Sequence, residues 1–195
     1  MIRLCDIVFS FIGLVVLAPL CLIIGLWIVI DDPGPVFYRQ LRVGKNGKDF
    51  GLLKFRSMRI GADKMSLITI GERDARITNA GYYLRKYKLD ELPQLWNVLI
   101  GDMSLVGPRP EVRRYADLYT PEQRKVLSVR PGITDYASIE YIDENSILAK
   151  AEDPDKTYIE QIIPAKIELN MRYINNQTIG EYFTIIFHTF AKIIQ

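Results

Sequence analysis

From Ile7 to Ile30 the chain carries no charged side chain: IVFSFIGLVVLAPLCLIIGLWIVI. As a helix this run would extend ~36 Å at the helical rise of ~1.5 Å per residue. The hydrocarbon core of a bilayer is ~30 Å thick, so the run is long enough to sit in one. A buried core helix is the ordinary alternative, but a chain of 195 residues has little interior in which to hide a wholly apolar stretch of that length. The length of the run and the lack of an A-x-A-like site after it count against a cleaved signal peptide. The segment belongs in a membrane.

Pro19 lies near the middle of the run, where it removes one N–H and crowds the carbonyl of Val15, so a kink is expected there. Arg39, Arg42, Lys45, Lys48, Lys54, Arg56 and Arg59 all follow the run, which places the remaining chain in the cytoplasm. A straight span would carry Met1 to Asp6 to the opposite side; a kinked, re-entrant helix would return both ends to one face. Periodicity does not separate the two, and the residues alone favour the commoner single span.

The remainder reads as one domain with appendages. A formal net charge of +2 leaves no electrostatic footprint for nucleic acid, which is not an expected partner. Cys5 and Cys21 sit in or beside the apolar run and form neither a disulfide framework nor a metal cluster. His188 is the only histidine, so Ser-His and Cys-His chemistry is improbable and acid–base or nucleophilic work falls to carboxylates, lysines or tyrosines.

Asp32-Pro33-Gly34-Pro35 is a turn, and 36–40 and 50–55 read as strands of a small hairpin joined through Gly44-Lys45-Asn46-Gly47. Lys54, Arg56 and Arg59 form a basic cluster, equally suited to a ligand or to lipid headgroups. Residues 60–80 read as loop with short helical pieces, followed by a brief helix at 82–86. Thr120-Pro121-Glu122-Gln123 is a capping box opening a helix to about Val129, and Arg130-Pro131-Gly132-Ile133-Thr134 breaks it. Residues 135–147 read as loop or edge strand; Asp143 and Glu144 could reach a metal, but a solvated acidic loop is the better reading. Residues 158–174 are helical with a disruption at Pro164. Ile179, Tyr182, Phe183, Ile186, Phe187, Phe190, Ile193 and Ile194 form a helical stripe facing either the core or the bilayer surface.

The chemistry concentrates in Lys88-Leu89-Asp90-Glu91-Leu92-Pro93-Gln94-Leu95-Trp96-Asn97-Val98-Leu99. Leu92, Leu95, Trp96 and Leu99 recur on one helical face, and Pro93 is tolerated only in a first turn. Asp90 and Glu91 therefore stand at a helix N-terminus, whose dipole suits carboxylates and phosphates. A simple N-cap is the bland alternative for Asp90. Arg85, Lys86 and Lys88 before the pair, and Gly107-Pro108-Arg109-Pro110 after it, instead indicate a polar site. The two prolines aim the Arg109 guanidinium, which suits bidentate phosphate binding. An aspartate can attack phosphorus, dividing a hard transfer into two easier steps. Oxygen ligands without His or Cys imply a hard ion, and Mg²⁺ at Asp90 and Glu91 is the expectation. Residue chemistry alone leads to phosphate chemistry at a membrane, with a non-catalytic membrane scaffold and an aspartyl-phosphate phosphatase as rivals. Asp90 lies in no D-x-D motif, which counts against the phosphatase.

LysPheArgSerMet at 54–58, the run LDELPQLWNVLIGDMSLVGPRPE at 89–111 and RPGIT at 130–134 resemble the bacterial sugar transferase family, the monotopic phosphoglycosyl transferases. The resemblance covers almost the whole chain, in a minimal catalytic-core form. It implies transfer of a phospho-sugar from a UDP-sugar to polyprenol (undecaprenyl) phosphate, with release of UMP and with Mg²⁺, as the first membrane step of surface glycan or glycoconjugate assembly. The family's nucleophilic aspartate matches Asp90 and its partner glutamate matches Glu91. Its phosphate-binding basic residues match Lys54, Arg85 and Arg109. Its apolar helix is re-entrant at a Ser-Pro pair; here the pair is Ala18-Pro19, which keeps the proline and loses the serine hydroxyl. The expectation therefore becomes a re-entrant helix over 1–31, with 32–195 a domain on the cytoplasmic face of the bacterial inner membrane. The fold class implied is α-rich α/β: that helix, a small β-hairpin and interfacial amphipathic helices, the C-terminal one included, around a compact catalytic domain. Thr134-Asp135-Tyr136-Ala137-Ser138 departs from the Gly-Trp-Ala-Gln of many members, in a loop that bears on the nucleotide-sugar, so no member's sugar preference carries over. The oligomeric state, a homodimer included, is left open.

Overall fold

The apolar run forms the longest element, helix α1 (Ile2–Asp31), in a computed structural model that describes residues 1–62, 74–141 and 144–194. It is helical on both sides of Pro19 without interruption. Most of its large side chains are exposed, among them Phe11, Val16, Leu22, Ile23, Leu26 and Ile30. Among the described residues it is the one helix long and apolar enough to cross a membrane.

The polar groups of α1 that bond the rest of the protein lie near its ends, and both ends hold the same body. Near the start, the Arg3 guanidinium donates to the carbonyls of Val98 and Leu99 at 2.6 and 2.9 Å. One oxygen of the buried Asp6 carboxylate accepts from Ser104 Oγ, Leu105 N and Tyr182 Oη at 2.9, 3.0 and 2.9 Å. Near the end, Asp31 accepts from Ala80 N at 2.9 Å, and Asp32 pairs with the buried Arg56 at 3.1 Å. Ile24 and Ile28 pack there on Phe55 and Leu84.

Strands β1 (Phe37–Val43) and β2 (Asp49–Phe55) form the expected hairpin, longer than periodicity indicated and in register from Phe37 opposite Phe55 to Val43 opposite Asp49. Its turn needs left-handed backbone at Asn46 (φ 56°) and Gly47 (φ 73°), residue types that adopt it readily. Helix α2 (Asn79–Lys86) opens on a Thr78 side chain that accepts from Gly81 N. The preceding segment is described only to 62 and again from 74, so most of the expected loop lies outside the described residues.

Helix α3 (Gln94–Ile100) reverses the expected packing. The face turned inward is Gln94, Asn97 and Val98, whereas Trp96 is 49% exposed and Ile100 54%. Asn97 explains the inversion: its side chain accepts from Leu53 N and donates to Gly51 O, both at 2.9 Å, holding the helix to β2. The apolar stripe instead turns toward α1, where Leu95 lies against Gly13.

After the Gly101 turn (φ 99°), strand β3 (Ser104–Val106) pairs in parallel with β4 (Gly132–Thr134). Leu105 and Val106 are strand up to the edge of the proline-rich segment 107–110. The crossing that follows is too close for side chains: a Cβ on Gly132 would lie 2.1 Å from Gly107 N, and one on Gly107 2.5 Å from Arg130 O. Between them run α4 (Arg113–Ala116) and the capping-box segment. Thr120 and Gln123 cap each other reciprocally, at 2.9 and 3.3 Å, but the helix that follows, Gln123–Ser128, is 3₁₀ rather than α.

Residues expected to be loop or edge strand are helical: α5 (Tyr136–Glu140) and α6 (Glu144–Ala149). Glu144 pairs with Lys166 at 2.7 Å, while Asp143 lies outside the described residues. Helix α7 (Pro154–Thr157) continues through a π-helical turn (Tyr158–Ile162) into α8 (Ile163–Asn175), so the disruption at Pro164 is one wide turn rather than a break. The C-terminal α9 (Ile179–Ile194) packs one face on the core, where Tyr182 and Ile185 are fully buried, and leaves Phe187 and Phe190 over 60% exposed.

Candidate active site

Three segments converge on one carboxylate pair. The chain leaves α2 through Lys88, whose φ of 56° is unusual for a side chain of that size, and enters the 3₁₀ turn Leu89–Glu91. This turn, with Leu92 and Pro93, precedes α3, so the acidic pair stands just ahead of the helix as expected. Neither the turn nor α3 has a side-chain cap hydrogen bond, which removes the bland role of Asp90 as an N-cap. Asp90 is nonetheless buried, 5% exposed. A carboxylate taken out of water without a capping partner is costly to keep and points to chemistry.

Glu91 has the opposite surroundings. Arg109 forks across both its oxygens, Nη1 at 3.2 Å from Oε2 and Nη2 in a shorter contact with Oε1. Lys54, from the penultimate position of β2, brings Nζ to 3.5 Å from the same Oε1. Burial alone would raise the Glu91 pKa, but Arg109 and then Lys54 overcome it and hold the carboxyl well below its usual range. Burial raises the Asp90 pKa and the Glu91 charge adds to it, against the pull of Lys54, Arg85 and Arg109. Burial likewise lowers Lys54, with Glu91 opposing. Two adjacent carboxyls thus have their pKa values driven apart, Asp90 upward and Glu91 downward.

Of the residues picked from sequence, Asp90, Glu91, Lys54 and Arg109 come together. Arg85, in the last turn of α2, makes no direct bond to the pair and acts on Asp90 through its charge. Ala18 and Pro19 lie within α1, away from the pair. The basic cluster divides, since Lys54 faces Glu91 and Arg56 holds Asp32.

Sequence reasoning missed the support behind Arg109. Arg42 donates to Glu111 at 3.3 Å and to Pro110 O at 3.1 Å, and Glu111 also accepts from Tyr158 Oη and from Val112 N. Asp135, fully buried, caps α5 and also accepts from Arg109 N. The only local signal was the aspartate itself, a preferred N-cap residue, within a stretch read as loop.

Residues 1–195 match the family model of the bacterial sugar transferase. The chain is 37% identical over 192 residues to a UDP-N-acetylgalactosamine-undecaprenyl-phosphate N-acetylgalactosaminephosphotransferase of Aeromonas hydrophila, covering 97% of this chain and 42% of that protein. It is 33% identical over 195 residues to the UDP-glucose:undecaprenyl-phosphate glucose-1-phosphate transferase of Escherichia coli (strain K12), covering 96% of this chain and 39% of that protein. The exopolysaccharide production protein PSS of Rhizobium leguminosarum bv. phaseoli is 38% identical over 191 residues, covering 94% of this chain and 90% of that protein. The chain thus spans about two fifths of the length of the first two relatives. With the match running from the first residue to the last, the chain belongs to the bacterial sugar transferase family.

Proposed function

We propose that the chain is a phosphoglycosyl transferase acting from a UDP-sugar donor on undecaprenyl phosphate or a similar polyprenol phosphate, in the first membrane step of surface glycan assembly. One observation carries the reading: Asp90 is buried without a capping role beside a glutamate clamped by two cations. A carboxylate oxygen of Asp90 attacks the sugar-bearing phosphorus, a P–O bond forms, the P–O bond to the nucleotide breaks, and UMP leaves. An oxygen of the polyprenol phosphate then attacks the same phosphorus, releasing the aspartate and leaving a polyprenol diphosphate sugar. Lys54 and Arg109, positioned through Glu91, offset charge on the transferring group, and Arg85 adds to the local positive potential.

The donor set suits Mg²⁺ chiefly through Asp90, whose hard oxygen atoms no cation clamps, with Glu91 sharing its oxygens between the ion, Arg109 and Lys54; this ion is commonly held by one or two carboxylates plus substrate phosphates. Among the described residues no three His, Cys, Asp or Glu side chains converge, so the diphosphate would complete the coordination. Bound there, Mg²⁺ would neutralise charge on the donor diphosphate.

The ends of α1 support the re-entrant placement. Arg3 and Asp6 at one end and Asp31 and Asp32 at the other bond the same domain. A straight crossing would put those ends on opposite sides of a bilayer, where one domain could not hold both. The domain would then lie on the cytoplasmic face of the inner membrane, with Trp96, Ile100, Phe187 and Phe190 directed toward lipid. A cysteine replacing Ile2 is expected to react with a membrane-impermeant maleimide only after the cytoplasmic side is opened. Labelling of intact cells from the periplasmic side would restore a simple span.

The activity is tested by supplying purified protein with a panel of UDP-sugars, a polyprenol phosphate and Mg²⁺, and measuring UMP. Release that requires both the protein and one or more donors is expected. Inorganic phosphate without acceptor would favour the phosphatase, and no nucleotide release from any donor would favour the scaffold.

A further inference from the structure

The segment Gly107-Pro108-Arg109-Pro110 has only two main-chain N–H groups, because proline has none. Both are bound. Gly107 N donates to Thr134 O at 3.0 Å, and Arg109 N donates to Asp135 Oδ2 at 2.9 Å. Gly132 N donates in the other direction to Pro108 O, at 3.0 Å. The carboxylate of Asp135 thus continues, with a side chain, the stitching that β3 and β4 begin with their backbones. Its other oxygen accepts from Ser138 N at 2.5 Å and so caps α5, and the residue is fully buried. One carboxylate therefore ties the start of α5 to the backbone of the residue whose guanidinium forks onto Glu91.

From this juxtaposition we infer that Asp135 is a positioning residue for the transfer reaction, acting on the donor diphosphate only through Arg109. Beside the bonds that hold Pro108 and Pro110, the Asp135 bond holds the Arg109 main chain itself and helps fix the point from which the guanidinium reaches the phosphates. A misplacement of about 1 Å in such a group costs on the order of 100-fold in rate. The inference rests on the function proposed above.

Asn and Ser separate the two roles of the side chain. In Asp135→Asn the amide oxygen caps α5, since Asn is as good an N-cap as Asp. Its NH₂ faces Arg109 N, where two donors meet and no bond forms. Asp135→Ser, which also caps but reaches only one partner, serves as the second variant. Each is compared with wild type and combined with Arg109→Ala, reading the unfolding midpoint, kcat/KM with an active UDP-sugar, and the Kd for UDP, which remains measurable when turnover is lost. The expected result is a lowered unfolding midpoint, by the same amount with and without the Arg109 side chain because the lost bond is to its main chain, together with a fall in kcat/KM of roughly 10- to 100-fold, weaker UDP binding, and no further loss of activity or binding when Arg109 is already Ala. An equal loss of activity or binding in both backgrounds, or no such loss in the wild-type background, overturns the inference. Lack of UMP release by wild type would instead reject the function on which it rests.

Discussion

Asp90→Asn is expected to abolish UMP release, by roughly 10⁴-fold or more as for loss of a nucleophile elsewhere, and at the same time to stabilise the protein. The two effects share one cause. Burial raises the Asp90 pKa, so the folded protein prefers the protonated carboxyl. In the unfolded chain the group titrates near ~3.9. Below that value both states are protonated and nothing is lost. As pH rises toward the folded value the unfolded chain ionises first, and folding loses free energy until Asp90 ionises too; above it the deficit stays constant. Asparagine is neutral throughout, so its advantage in unfolding midpoint is absent near pH 3, grows with pH and is present at pH 7. The same shift places the acidic limb of the wild-type kcat/KM profile above the ordinary aspartate pKa, because the attacking carboxylate must be ionised. Mass spectrometry of enzyme quenched after mixing with donor should find a phospho-sugar on the peptide containing Asp90, and none in Asp90→Asn. Turnover by that variant would remove Asp90 as nucleophile.

Glu91→Gln is expected to lose activity by roughly 10²- to 10³-fold, the scale of removing one preorganised electrostatic element, but to destabilise the protein. The glutamine leaves Arg109 and Lys54 facing each other without the charge between them. Breaking a fully buried pair costs about 3–5 kcal/mol. Arg109 keeps a third of its side chain exposed, so a cost of about 2 kcal/mol is more appropriate here. The pH dependence has the opposite sign to that of Asp90. The Glu91 pKa is depressed in the folded protein, so its stabilisation is complete above the unfolded value of ~4.3 and declines as pH falls toward the folded value. Denaturant titrations at pH 7 and pH 3 should therefore show a gap between wild type and Glu91→Gln that narrows in acid. A gap equal at both pH values would mean that the glutamate contributes shape rather than charge. Neighbouring carboxyls, one stabilised and one destabilised by ionisation, would then move the unfolding midpoint in opposite directions when neutralised.

Local chemistry made the dyad, its cationic company and the hairpin legible, since each rests on residues close in sequence or on strong turn formers. Helix α3 shows where such reasoning fails. Its apolar residues do share a face, but burial is decided by what lies alongside. Asn97 finds two backbone partners on β2 and goes inward; Trp96, beside a long apolar helix, stays outward. A hydrophobic stripe tells which residues avoid water, not whether protein or lipid shelters them. Asp135 was missed for a related reason. Its cap on α5 is local, whereas its bond to Arg109 joins positions whose proximity depends on the two glycines at the β3–β4 crossing.

Read alone, the amino-acid order determined that one segment must leave water, that two carboxyls stand ahead of a helix, and that no histidine or thiol machinery replaces them. Tertiary structure decided which carboxyl is clamped and which is left without a cap, and that both ends of the apolar helix grip one domain. The physical reason is that charge and hydrophobicity are properties of residues, while desolvation and pairing belong to the positions into which distant segments bring them.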